Sequence, residues 1–175
     1  LSIIAGNDVW NGAGADNNLS TSLNWTTQTA PALVGDSLQF AGTTRLTPNV
    51  DNNYTVTGVI FGSGAGAFNI GSTGSMLSLT NGVGVVNNSA TAQTLSVPMS
   101  VIGASTFNAA AGNLNLVGQI TTSDNTLVTV TGAANTSVTG TVSGNGSLFK
   151  QGNGSLTISS GTSWGGAQAS SGGFS

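Results

Sequence analysis

The chain has 175 residues, 38% of them hydrophobic, yet only two cationic side chains, Arg45 and Lys150, against five Asp and no Glu. A duplex-binding protein neutralises roughly 6–10 phosphates with Lys and Arg, so nucleic acid is excluded as a partner, and the regular apolar content argues against disorder. Without Cys or His there is no disulfide, no thiolate or imidazole metal ligand and no histidine acid–base catalyst, and neither cofactor nor metal is expected.

The first residues, LSIIAG, form a short β-prone arm carrying Leu1, Ile3 and Ile4. The arm is too short for a secretory apolar core, and a start at Leu rather than Met fits a leader already removed. Nowhere does a run approach the ~18 apolar residues of a membrane helix. Helical spacing without Gly is missing throughout and β-branched residues dominate the apolar set, so the chain reads as all-β.

Residues 1–50 read as arm and cap. Trp10 and Trp25, with Tyr54 just beyond, have two readings: bulky side chains closing the open first coil of a stack, or rings that stack on sugars. Residues 51–175 read as coils. There MLSL, TLSVPMSV, NLNL and SLTIS alternate apolar and polar residues and end in Gly or Asn, as strands entering turns do. Phe40, Phe61, Phe68, Phe107 and Phe149 lie in or beside such patterns and are expected in the core.

The phrases recur. Leu77 to Leu95 is 18 residues, Leu95 to Leu114 is 19, and Leu114 to Leu156 is 42, twice 21, with TSVTGTVSG as the intervening copy. Recurrence near 20 predicts a β-solenoid with two or three short strands per coil; a β-sandwich is the alternative. The expected inward rows are Leu77, Leu95, Leu114 and Leu156, and beside them Leu79, Val97, Leu116 and Ile158. One coil cannot offset the entropy of ordering itself, so stability belongs to the array.

Every acidic residue sits in turn-like company: Asp8, Asp16, Asp36, Asp51 and Asp124. Asp there bonds its own backbone. Glycoside hydrolysis would need two carboxyls about 5 to 9.5 Å apart, and Ca²⁺ six or more oxygens. Arg45 is expected to pair with Asp36 or Asp51. Thr-x-Thr at Thr55, Thr129 and Thr139 does not recur at the coil period, which sets aside a threonine ladder. With five ionised carboxylates and no His, stability is expected to vary little with pH near neutrality.

The segment Ser147-Leu148-Phe149-Lys150-Gln151-Gly152-Asn153-Gly154-Ser155-Leu156-Thr157-Ile158-Ser159, followed by Gly161 and Trp164-Gly165-Gly166, resembles the autotransporter-associated β-strand repeat. It fixes a Lys, two glycines and an alternating strand in one register, and differs in lacking the usual spacer between the aromatic and the Gly-Gly pair. Trp10-Asn11-Gly12, Asn24-Trp25 and Gly35-Asp36-Ser37-Leu38-Gln39-Phe40 are similar to the region preceding such repeats. The resemblance implies a right-handed parallel β-helix and an exported bacterial passenger, adhesin or surface fibre, extracellular or on the cell surface. Lys150 would then cover the coil edge and meet turn carbonyls. Leu1, Ile3, Ile4 and Phe174, at two ends without blunting charge or proline, are candidate contacts for head-to-tail assembly into a homopolymer. A non-catalytic structural role leads; a carbohydrate-binding or weak polysaccharide-cleaving β-helix, with surface glycans as partners, is the alternative.

Overall fold

A computed structural model describes residues 6–159, 164–166 and 168–170, with only the backbone of the last three. The strands in chain order are β1 (Asn7–Trp10), β2 (Ser37–Phe40), β3 (Asn49–Val50), β4 (Tyr54–Phe61), β5 (Asn69–Ser72) and β6 (Leu77–Asn87). There follow β7 (Gln93–Leu95), β8 (Met99–Val101), β9 (Ser105–Ala109), β10 (Leu114–Leu116), β11 (Ile120–Thr122) and β12 (Leu127–Gly132). The last are β13 (Thr136–Val138), β14 (Val142–Gly144), β15 (Ser147–Lys150), β16 (Leu156–Ile158) and β17 (Gln168–Ser170). Among the described residues the helical content is one 3₁₀ turn, Ser22–Asn24.

These strands pair in parallel across coils and build a β-solenoid of about six coils, so the sandwich alternative is not needed. From β7 to β15 each coil contributes three strands, one to each of three faces. The first face runs β3-β5-β7-β10-β13-β16, the second from the start of β6 through β8, β11 and β14, and the third β1-β2-β4-β6-β9-β12-β15-β17. The long strands β4 and β6 turn the corner between the second and third faces. TSVTGTVSG is the intervening copy: β13 pairs β10 below and β16 above.

Alternation decides what faces inward, because successive side chains of a strand point to opposite faces. Leu114 and Leu116, Met99 and Val101, Val128 and Val130 are buried, while the residues between them reach outward. Turns close the coils with glycine where backbones meet. At one corner a side chain on Gly118 would collide with the Val97 carbonyl, and one on Gly140 with that of Gly118.

The inward rows differ from those expected. Leu77, Leu79, Leu95, Val97, Leu114, Leu116 and Leu156 are fully buried and Ile158 is half-buried. On the first face, however, the rows are Ile70–Leu95–Leu116–Val138–Ile158 and Gln93–Leu114–Thr136–Leu156. Leu77 and Leu79 belong to the second face, opposite Met99 and Val101, and Val97 lies in the corner between β7 and β8. The cause is the coil length. Register partners such as Leu77 and Met99, 22 apart, or Met99 and Ile120, 21 apart, set the true period, whereas the 18-residue interval from Leu77 to Leu95 crosses from one face to another.

Parity also corrects Phe149. Leu148 and Lys150 point inward on β15, which leaves Phe149 half-buried on the outer side between Thr129 and Ala169. Phe40, Phe61, Phe68 and Phe107 are buried. Residues 6–50 hold coil strands as well as a cap, since β1 and β2 open the large sheet.

Candidate functional site

At the first coil the interior is filled by aromatics. Trp10 and Trp25 meet edge to face at 5.3 Å, and Phe40 lies 5.4 to 6.2 Å from Trp10, Trp25, Phe61 and Phe68. Trp25 donates its indole N–H to the Leu19 carbonyl at 2.7 Å. Asn24, buried beside it, receives the Gly14 N–H at 2.9 Å and donates to the carbonyls of Asp16 and Asn18, both at 3.0 Å. Trp10, Trp25 and Tyr54 are at most 1% exposed. Rings so enclosed fill the coil and offer no face to a sugar. Tyr54, on β4 in the row of Leu77 and Met99, is held above its ordinary pKa by burial and by Asp51.

Two carboxyls do converge. Asp8 on β1 and Asp36, one residue before β2, both reach the space over Gly6: Asp36 Oδ1 lies 3.3 Å and Asp8 Oδ2 3.6 Å from the point where a Gly6 side chain would begin. Asp36 accepts the Gly6 N–H at 2.8 Å and the Ala32 N–H at 2.6 Å. Asp8 Oδ2 is shut off from water and, with both groups ionised, has no donor. Desolvation, then the hydrogen-bonding Asp36 carboxyl and its charge, pushes Asp8 up to about 6. Contact between the two carboxyls differs from the separation that glycoside hydrolysis uses.

The other acids serve the turns. Asp16 accepts from the Asn18 N–H and the Thr21 hydroxyl, which hold its carboxyl below the usual value. Asp51 accepts from the Ser20 amide and hydroxyl, and Asp124 from Asn145. Arg45 does not pair with Asp36 or Asp51. Its guanidinium donates to the Gly12 carbonyl at 3.0 Å and to Asn17 Oδ1 at 3.1 Å, and its backbone is left-handed, with φ 47°. No group of three or more acidic side chains converges among the described residues.

Lys150 is inside the solenoid, 1% exposed, rather than on the coil edge. Its ammonium donates to the carbonyls of Gln151 at 2.7 Å and Gly152 at 3.1 Å. Burial lowers its pKa. The turn beyond it wraps over the amine, and the positive φ of Gly152, 80°, permits that geometry.

The outer surface carries an unexpected ladder. Along the second face Thr55, Ser78, Ser100, Thr121 and Ser143 are register partners on successive coils, about 4.8 Å apart as strand spacing dictates. Their hydroxyls make no hydrogen bond within the protein among the described residues, whereas on the first face Asn69 accepts from Ser96 at 2.7 Å. Met76 and Ile102, exposed on the same side, flank the ladder. Repeated Thr-x-Thr failed to reveal it because Ser and Thr interchange from coil to coil. Leu1, Ile3, Ile4 and Phe174 lie outside the described residues.

No cavity opens among the described residues, and none of their helices is long and apolar enough to cross a membrane. No family model, curated protein or solved structure matches the chain.

Proposed function

We propose that this chain is a non-catalytic structural β-solenoid of an exported bacterial passenger, forming part of a surface fibre or adhesin. The observation that carries the reading is the parallel ladder maintained from β1 to β17. Such stacking gives length and rigidity from main-chain hydrogen bonds, and needs only uncharged polar side chains outside. The resemblance of residues 147–166 to the autotransporter-associated repeat supports the same role. Strand-edge addition would propagate the stack head to tail, with Leu1, Ile3 and Ile4 pairing against the far end. Electron microscopy and sedimentation of the chain with and without residues 1–6 test this. Filaments that need those residues support it; a monomer at high concentration, or equal polymerisation without them, defeats it.

A second reading, neutral-glycan binding, is favoured by the uncommitted hydroxyl ladder with its apolar flank at Met76 and Ile102. A glycan array decides between them: binding that disappears in a Ser100→Asp, Thr121→Asp chain would establish glycan recognition, and a blank array would leave the structural role alone.

A further inference from the structure

We propose that Asp8 and Asp36 form a proton-operated latch, which clasps the first strand of the solenoid to the second in acid and loosens it at neutral pH. The strand pair is joined at the Gly6 end through these groups. Ser37 donates its N–H to the Gly6 carbonyl at 2.9 Å, and Gly6 donates back to Asp36 Oδ1 at 2.8 Å. The carboxyl of Asp8 lies over the same glycine, its Oδ2 closed to solvent and lacking a donor. One shared proton turns two facing acceptors into a donor and an acceptor. Removing it leaves two negative charges facing one another, one of them on a residue only partly exposed to water.

No cation relieves that repulsion among the described residues. The other residues of β1 and β2 are uncharged, and the loop before β2 brings only Asp36. From β4, Thr57 donates to the Asp36 carbonyl, and the titratable group of β4, Tyr54, has Asp51 and Asn52 as its neighbours. Arg45 is engaged with Gly12 and Asn17 beside Asp16, and Lys150 lies coils away. The burial that raises Asp8 to about 6 places the change between mild acid and neutrality. Opening would stop at Trp10, anchored by the Trp25 ring and by the Asn11 N–H on the Asn24 carbonyl at 2.8 Å.

The experiment follows the Asp8 carboxyl carbon by NMR, together with hydrogen-exchange protection of the Gly6, Ser37 and Asn11 amides, from about pH 4.5 to about pH 7.5. It is run on the N-terminally acetylated chain, so that no α-amino group titrates. The latch predicts that the Asp8 carboxyl titrates at about 6 and that Gly6 and Ser37 protection falls about tenfold or more, with Asn11 unchanged. Asp8→Asn, which supplies a permanent N–H donor, keeps protection high at both pH values. Ordinary titration of Asp8 near 4, constant protection in the parent chain, or an Asp8→Asn chain that still loosens would each overturn the proposal. The carboxyl titration of the parent decides even where the variant folds poorly.

Discussion

Val130 and Lys150 are register partners on adjacent strands, and both side chains point into the solenoid. The coil below places a valine where the next places an amine, and the row continues from Val59 through Val85 and Phe107. A lysine is tolerated there because its stem fills the same apolar space while its ammonium reaches turn carbonyls.

Lys150→Met should therefore keep the stem's packing, and its stability should remain within about 1 kcal/mol of the parent, since a volume-conserving swap removes a buried charge along with its hydrogen bonds. Lys150→Ala should cost about 2–4 kcal/mol through the space it leaves. Urea denaturation of the two variants checks the order. If Met proved as costly as Ala, the ammonium rather than the stem would be what holds the turn.

Thr136 sits between Leu114 and Leu156 in an inward row, 1% exposed, and its hydroxyl has no partner. A buried hydroxyl without a hydrogen bond costs about 1–3 kcal/mol, so Thr136→Val, equal in shape, should stabilise the stack by about 1 kcal/mol. Leu114→Asp in the same row should abolish cooperative melting, because it buries an unpaired charge between coils. Thermal unfolding followed by circular dichroism reads both.

The strands and their inward parity were legible because alternation is local: Leu114-Asn115-Leu116 declares its faces without reference to its neighbours. Register was not legible. Leu77 and Leu95 look alike in sequence but lie on different faces, and only the length of a whole coil separates them. Asn87 shows a second limit. A polar residue in a strand reads as outward, yet Asn87 is fully buried, accepting from the Ser89 N–H and donating to the Thr91 and Asn113 carbonyls. Its role depends on carbonyls brought to it by the next coil. The meeting of Asp8 with Asp36 had the same obstacle, as 28 residues and a loop separate them.

The charge count alone led to an expectation of nearly constant stability around neutrality, and the carboxyl pair changes it. Asp8 binds its proton more tightly folded, at about 6, than at its ordinary 3.8. Its contribution is therefore complete below the lower value and is lost as pH rises through the upper one. Lys150 acts oppositely. Its folded pKa lies below the ordinary 10.5, so the unfolded chain holds the extra proton and stability rises with pH across that interval. Tyr54, held above its ordinary value, works against Lys150 on the alkaline side, so urea midpoints should fall from about pH 4 to about pH 7 in the parent but not in Asp8→Asn, and in alkali the parent should gain relative to Lys150→Met as pH rises. A level acid limb in the parent would contradict the Asp8 assignment, and a pH-independent difference between the parent and Lys150→Met would contradict that of Lys150.

Glycine at the corners should be indispensable only where coils touch. Gly118 stacks on Val97 and beneath Gly140, and a methyl at Gly118 meets the Val97 carbonyl with no side chain available to move aside. Relief requires shifting the backbone of one coil away from the next, which breaks the bonds that Val117 and Gly118 donate to the Leu95 carbonyl at 2.9 and 3.0 Å. Gly118→Ala should accordingly cost about 2–4 kcal/mol, combining strain with lost hydrogen bonds. Gly64, exposed in the turn after β4, has open space around its missing side chain, and its φ is not positive. Gly64→Ala should leave stability unchanged or raise it by about 0.4–1 kcal/mol, by restricting the unfolded chain. Equal effects at the two positions would mean that the corner yields, and that contact between successive coils does not set the glycine requirement.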